Sequence, residues 1–372
     1  MSDRGGAGEA KRSSPLELFF DLVFVFALTQ VTALMADAGD WAGVGQGMLA
    51  LAAIWWAWAA YAWLTNEVDP REARVRLAVF AAMVAMLIAA LALPGAFGDE
   101  ALLFACAYLG VRILHVALFA AGSSDVEVRA AVRSLTPPAV IAPAFLIAAA
   151  FLDGWAQAAV WAFVIVADFV TGGIRGIEGF RCSPAHFAER HGLIVIIALG
   201  ESIVAIGVGL SGADLGAAEI VTAGLGVLVA AALWWIYFDR AADAGERALH
   251  AAPPGLARNT LARDSYSYIH LGMAAGIVLL ALGVKNALAH VDEPLDEVAA
   301  FAACAGIATY LAAQAGFRWR TTRSLKPALL AGALAALALL PVATAVDAIW
   351  AVAALVALAT AIVAWDGRVG SP

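Results

Sequence analysis

The 372 residues are 63% hydrophobic and only 14% charged, with a mean hydropathy of +0.86, whereas a soluble domain carries about 25% charged residues. A water-soluble fold has no way to bury that much apolar surface, and the formal net charge of -8 describes charges that are sorted along the chain rather than spread over it. Cys106, Cys182 and Cys304 are too few for a disulfide framework, and their spacing is not that of a zinc or redox site.

In chain order, mostly apolar runs long enough to cross a bilayer as helices fall at 16–36, 44–65, 76–94, 101–121, 137–152, 156–174, 191–211, 217–238, 266–288, 297–317, 326–345 and 347–365. They are apolar on every face, which excludes a barrel whose strands alternate in polarity. The expected fold class is all-α, a polytopic membrane protein of about twelve transmembrane helices. Arg4, Lys11 and Arg12 ahead of the first run imitate a signal peptide, but Glu17 and Asp21 interrupt that run and no small-residue cleavage site follows, so it reads as a retained span.

With the N-terminus inside, every lysine and arginine of the 22 except Arg112 and Lys285 falls on the cytoplasmic side, and the outer loops carry acids such as Asp37, Asp40, Asp99, Asp153, Asp214 and Asp292. The positive-inside rule then predicts that both termini are cytoplasmic.

Markers recur in the same order along the two halves. Glu17 and Glu189 stand near the first helix of each half, Trp55-Trp56 and Trp234-Trp235 sit in the second, and Ser134-Leu-Thr-Pro137 and Ser324-Leu-Lys-Pro327 open the fifth. The expected organisation is a tail at 1–14, six-helix repeats at 15–180 and 181–367, and a tail at 368–372, the repeats being parallel because an even number of spans returns the chain to its starting side.

Ionisable residues inside a bilayer are costly unless paired or hydrated, which makes each a functional candidate. Asp21, His115, Asp168 and His270, with Arg112 and Glu201 deeper, form one expected slab roughly 6 to 15 Å inside the membrane. Arg112 and His115 share a helix face, as do Glu17 and Asp21. Arg112 is expected to pair with Asp168 or Glu201. Three carboxylates and two histidines beside one arginine leave proton acceptors over, the makings of an ion or proton pathway. Glu201, with Ser202 beside it, is the expected functional carboxylate.

The segment Ser183-Pro-Ala-His186-Phe-Ala-Glu189-Arg190 precedes the seventh run, and His186 with Glu189 has an i, i+3 spacing seen in metal-binding helices. Without a second such pair the sequence predicts no metal and no cofactor, and His186, Glu189 and Arg190 are expected to cap or gate at the cytoplasmic surface. Gly207-Val-Gly209-Leu-Ser-Gly212 follows no strand and is not a nucleotide loop. Gly272 and Gly276 form a helix-packing motif. Trp55, Trp56, Trp58, Tyr61 and Trp63 are expected to anchor at an interface.

Pro15-Leu-Glu17-Leu-Phe-Phe-Asp21-Leu-Val-Phe-Val-Phe-Ala27 and His186-Phe-Ala-Glu189-Arg190-His191-Gly192, continuing to Gly200-Glu201-Ser202, closely resemble the two hallmark segments of the bacterial low-temperature-requirement A (LtrA) family. Trp234-Trp-Ile-Tyr-Phe238 and Tyr268-Ile-His270 look like its later motifs. His191 departs from the pattern, where the family usually has an aromatic residue. The resemblance implies a multi-pass protein of the bacterial inner membrane linked to growth at low temperature and supplies no substrate. Phe20-Asp21-Leu-Val-Phe24 is also similar to the first helix of endolysosomal potassium channels, although Phe19-Phe20 replaces their Phe-Ser pair.

The function expected is a transporter or channel for a small ion or solute that uses the buried cluster. The alternatives are a membrane-embedded enzyme acting on a lipid-type substrate, for which no catalytic constellation is visible, and a non-catalytic sensor or assembly factor. The expected partners are the lipid bilayer, an unknown small ion or solute and a second copy of the chain, with no nucleic acid.

Overall fold

The computed structural model describes residues 12–68, 71–122, 126–174, 179–211 and 215–369. Of the residues singled out above, Arg4, Lys11, Gly212 and Asp214 lie outside the described residues.

Helices begin where the sequence supplies a cap. Ser14 and Glu17 form a reciprocal capping box at the start of α1 (Pro15–Ala38), Asp40 accepts from the Gly43 amide to start α2 (Trp41–Glu67), and Asp296 does the same for Ala299 at α10 (Glu297–Thr322). Gly39 ends α1 in the left-handed conformation at φ 64°. The remaining helices are α3 (Ala73–Leu91), α4 (Ala101–Gly122), α5 (Val126–Ala149), α6 (Gly154–Ile174), α7 (Pro184–Gly209), α8 (Ala217–Ala251), α9 (Leu256–Ala289), α11 (Pro327–Ala343) and α12 (Ala348–Val369). Among the described residues eleven helices are long and apolar enough to span a bilayer, and α11 is apolar but shorter. It is interrupted at Leu339, two residues before Pro341, whose ring cannot continue a helix without disturbing the carbonyl four residues back.

Several helices run beyond their apolar cores. α7 starts at Pro184 rather than 191, α5 at Val126 rather than 137, and α9 at Leu256 rather than 266, because hydropathy marks only the part in hydrocarbon while helical hydrogen bonding continues through polar turns. α8 and α9 each contain a widened π turn, at Tyr237–Ala241 and Arg263–Ile269.

In the first half, α1 packs on α2 and α3, α3 on α4, α4 on α5, α5 on α6, and α6 returns to α2. In the second half, α7 packs on α8 and α9, α9 on α10, α10 on α11, α11 on α12, and α12 on α8. The halves meet where α1 and α2 contact α7 and α9. A close crossing joins α9 to α10, where a Cβ on Gly276 would lie 2.6 Å from Gly306 O and Tyr310 N, so only a hydrogen fits. Large apolar side chains such as Leu77, Val84, Val166, Ile220 and Leu334 face outward, a surface that lipid solvates and water does not.

Candidate functional site: buried charge pairs and an aromatic cavity

Three contacts join α1 to α7. His186 Nε2 and Glu17 Oε1 are 2.8 Å apart, Arg190 donates to both oxygens of Asp21 at 2.9 and 2.8 Å, and Thr29 Oγ1 donates to Glu201 Oε2 at 2.6 Å. Positions advance together along both helices, so α1 and α7 run parallel. Trp58 Nε1 donates to Asp21 Oδ1 at 2.9 Å, and the Arg190 guanidinium lies 5.7 Å from the Trp58 ring centre. His186 and Arg190 are thus buried rather than at the surface as expected, because α7 begins before them. Glu189, on another face, is exposed and accepts from the Ser13 amide at 2.9 Å. His186 and Glu189 therefore do not converge on a metal, and among the described residues no three His, Cys, Asp or Glu side chains do.

Arg112 Nη2 donates to Asp168 Oδ1 at 2.9 Å and its Nε to Ala139 O at 3.3 Å, and the two side chains are 3 and 4% exposed. Nη1 has no hydrogen-bond partner. One turn along α4, His115 Nε2 lies 3.1 Å from Ala60 O, and its Nδ1 has no partner either. Both residues line a cavity of about 110 Å³ between α2, α4, α5, α6 and α9, walled by Trp56, Trp63, Phe119 and Phe180. Arg263 at its wall is held by Asp264 at 2.7 Å.

The expected single slab is divided. Asp21 pairs with Arg190, and Arg112 with Asp168. Glu201 has Thr29 for one oxygen and no partner for the other, and Ser202 Oγ also has none. His270 is hydrogen-bonded on both nitrogens, to the Tyr237 hydroxyl and the Ser265 carbonyl, each at 2.9 Å. Aromatic rings stand between these groups: Tyr61 lies 5.3 Å from His115 and 4.8 Å from Phe20, and His191 lies 4.9 Å from Trp58 and 5.4 Å from His270.

The tryptophans expected as interface anchors are internal. Trp55, Trp58 and Tyr61 are buried, and Trp55 and Trp63 donate to the Ser267 carbonyl and hydroxyl at 2.7 and 3.0 Å. A buried indole N–H needs an acceptor, and α9 supplies one. Arg318 and Asp366, just past the ends of their apolar runs, form another buried pair at 2.7 Å. Position was the missed signal in both cases. Trp58, Arg190, Arg318 and Asp366 are polar partners that the apolar runs do not single out.

An all-helical chain of this kind, with large apolar side chains outside and charges paired inside, is a multi-pass membrane protein. Residues 12–364 match the family described as bacterial low temperature requirement A protein (LtrA), and the chain belongs to that family. It is 32% identical over 294 residues to the protein named "Uncharacterized protein RA0937" of Rhizobium meliloti (strain 1021), covering 76% of this chain and 71% of that one. His191, the departure from the family's aromatic residue, occupies an aromatic slot: its ring packs on Phe187, Trp58 and Tyr266 at 4.5, 4.9 and 5.1 Å.

Proposed function

We propose that the chain is a transporter or channel for a small ion or solute, with Arg112, His115 and Asp168 at its binding cavity. The observation that carries this reading is the cavity itself. Charges that served only to hold helices together would be packed in on every side, whereas Arg112, Asp168 and His115 line one cavity of about 110 Å³. Glu201 is a second candidate, since a carboxylate oxygen and the neighbouring Ser202 hydroxyl are both buried and unpartnered. The α1–α7 contacts favour a different role for Glu17, Asp21, His186 and Arg190. Both oxygens of Asp21 are occupied and Glu17 is shared between a helix cap and His186, which suits a fixed seam between the halves.

The frame we infer is two parallel six-helix repeats. The recurring order of helix neighbours and the parallel course of α1 and α7 support it. The sorting of basic residues favours cytoplasmic termini in the inner membrane. The purified chain in liposomes, assayed for proton, ion and small-solute flux with and without an imposed pH gradient, tests the reading. Flux above protein-free liposomes is expected. Its absence for every solute and ion tried, with correctly inserted protein, would overturn it.

A further inference from the structure

At one end of the second half, α8, the end of α10 and the connection into α11 enclose a crevice of about 300 Å³. We propose that it holds the head group of an anionic phospholipid, a phosphodiester whose remaining part is uncharged and carries hydroxyls. The proposal stands apart from the transport reading and from the cavity at Arg112.

The crevice lies at head-group depth. The apolar runs stop at 238 on α8 and at 317 on α10 and resume at 326 on α11. The wall starts at the very next residues, Asp239 and Arg318, and closes at Lys326, the N-cap of α11. Three helices thus leave the hydrocarbon around one polar space, at the level of the phosphates of a leaflet. Its volume is at the lower end of the roughly 300 to 1,000 Å³ of small-molecule sites, the size of a head group rather than of a lone ion. Trp319, Leu325 and Leu330, which flank the wall in the chain, are exposed and offer apolar surface to the acyl chains.

Two cations of the wall are already engaged. Arg240 gives Nε to Asp239 at 3.2 Å and its terminal nitrogens to the carbonyls of Asp366 and Gly367, and Arg318 is paired with Asp366 at 2.7 Å. The other two, Arg247 and Lys326, have no hydrogen-bond or ion-pair partner among the described residues. Arg247 is exposed and Lys326 half-buried, so both can be reached from outside.

With the Arg240–Asp239 and Arg318–Asp366 pairs cancelled, Arg247 and Lys326 stand against Asp243 and leave the wall one charge positive. The flanks do not reverse the sign. Arg323 stands over the Trp319 ring, Arg320 and Arg263 share Asp264, and Glu246 lies 3.5 Å from His250. A phosphodiester brings one negative charge and accepts from the guanidinium and the ammonium, and the positive end of the α11 dipole acts in the same direction. A choline or ethanolamine head group would carry a further cation into a space that is already positive, whereas a head-group hydroxyl can donate to Asp243.

The full chain, stripped of lipid in a neutral detergent and titrated with phosphatidylglycerol, phosphatidylethanolamine and phosphatidylcholine of the same acyl chains, tests this by native mass spectrometry. One phosphatidylglycerol per chain is expected to be held at least about tenfold more tightly than either zwitterionic lipid. The double variant Arg247→Gln, Lys326→Gln should lose that preference. Arg74→Gln, Arg76→Gln, which removes the same charge from exposed positions of α3, should keep it. Lys326→Gln alone should lower the preference several-fold, so the test does not depend on accumulation of the double variant. Inorganic phosphate in equimolar amount should leave the lipid bound. Equal retention of the three lipids, a preference for phosphatidylethanolamine, equal loss in the double and the α3 variants, no loss in the double variant, or displacement of the lipid by inorganic phosphate would each overturn the proposal.

Discussion

Arg190 of α7 donates from both terminal guanidinium nitrogens to the two oxygens of Asp21 on α1, and neither side chain touches solvent. One helical turn earlier, His186 meets Glu17 with the same offset of 169 residues. Two i, i+4 pairs, one on each helix, thus interlock in register. Breaking such a pair strands a buried charge, while neutralising both partners removes the problem with the interaction.

Arg190→Leu should therefore destabilise the protein by about 3 to 5 kcal/mol, read as lower membrane abundance and an earlier thermal unfolding transition. Adding Asp21→Asn should recover part of the loss. Losses that simply add in the double variant would mean that the two groups are not coupled.

At the α9–α10 crossing, Gly276→Val should cost about 1 to 3 kcal/mol or more, because the new carbon meets backbone atoms at 2.6 Å that cannot rotate away. Gly224→Ala on α8 is the control, since a Cβ there meets nothing within 4 Å. Equal thermal stability of the two variants would contradict the packing described.

Cys182 lies in the segment before α7, where burial pushes its thiol up from 9.0 to about 12. The folded state thus holds this proton more tightly than the unfolded state does. The group leaves stability unchanged below about pH 9 and lowers it as pH rises from about 9 toward 12, as the unfolded chain ionises first. In a Cys106→Ala, Cys304→Ala background, a maleimide at pH 8 should label Cys182 slowly in the folded protein and fast after denaturation. Equal rates would show that the thiol is accessible and unshifted.

The apolar runs located the cores of the helices in the primary sequence, and Glu17, Asp21, Arg112, Asp168 and Glu201 all prove to be buried. Their partners were less legible. Arg190 sat outside the predicted seventh run, although it shares with His186 the spacing of Glu17 and Asp21, a signal that could have paired them. The acceptor for His115 is a backbone carbonyl, and the walls of its cavity come from five helices and Phe180, so no local pattern announces either.

Glu201→Gln separates a working carboxylate from a structural one. Thr29 Oγ1 faces two acceptors, Val25 O at 3.1 Å and Glu201 Oε2 at 2.6 Å, with one hydrogen to give. A glutamine amide can instead donate to Thr29 and keep the α1–α7 contact. Normal membrane levels are expected together with loss of pH-dependent flux in liposomes. Full flux in a well-expressed variant would show that no proton need leave this position.

The π turns in α8 and α9 change what a single insertion or deletion does. Each holds one residue more than the α turn it replaces, so everything beyond it is rotated by about 100° relative to an unbroken helix. In α8 the stretch before the turn lies among apolar neighbours, while Ala242–Ala251 beyond it turns Gly245 and Leu249 inward. A Cβ on Gly245 would lie 2.5 Å from Phe317 and 2.6 Å from the Tyr266 hydroxyl. Removing Phe238 would restore an ordinary helix of nearly the same length, yet swing that glycine out of its socket and carry a bulkier neighbour into it. Screw phase, rather than reach, is what the extra residue sets.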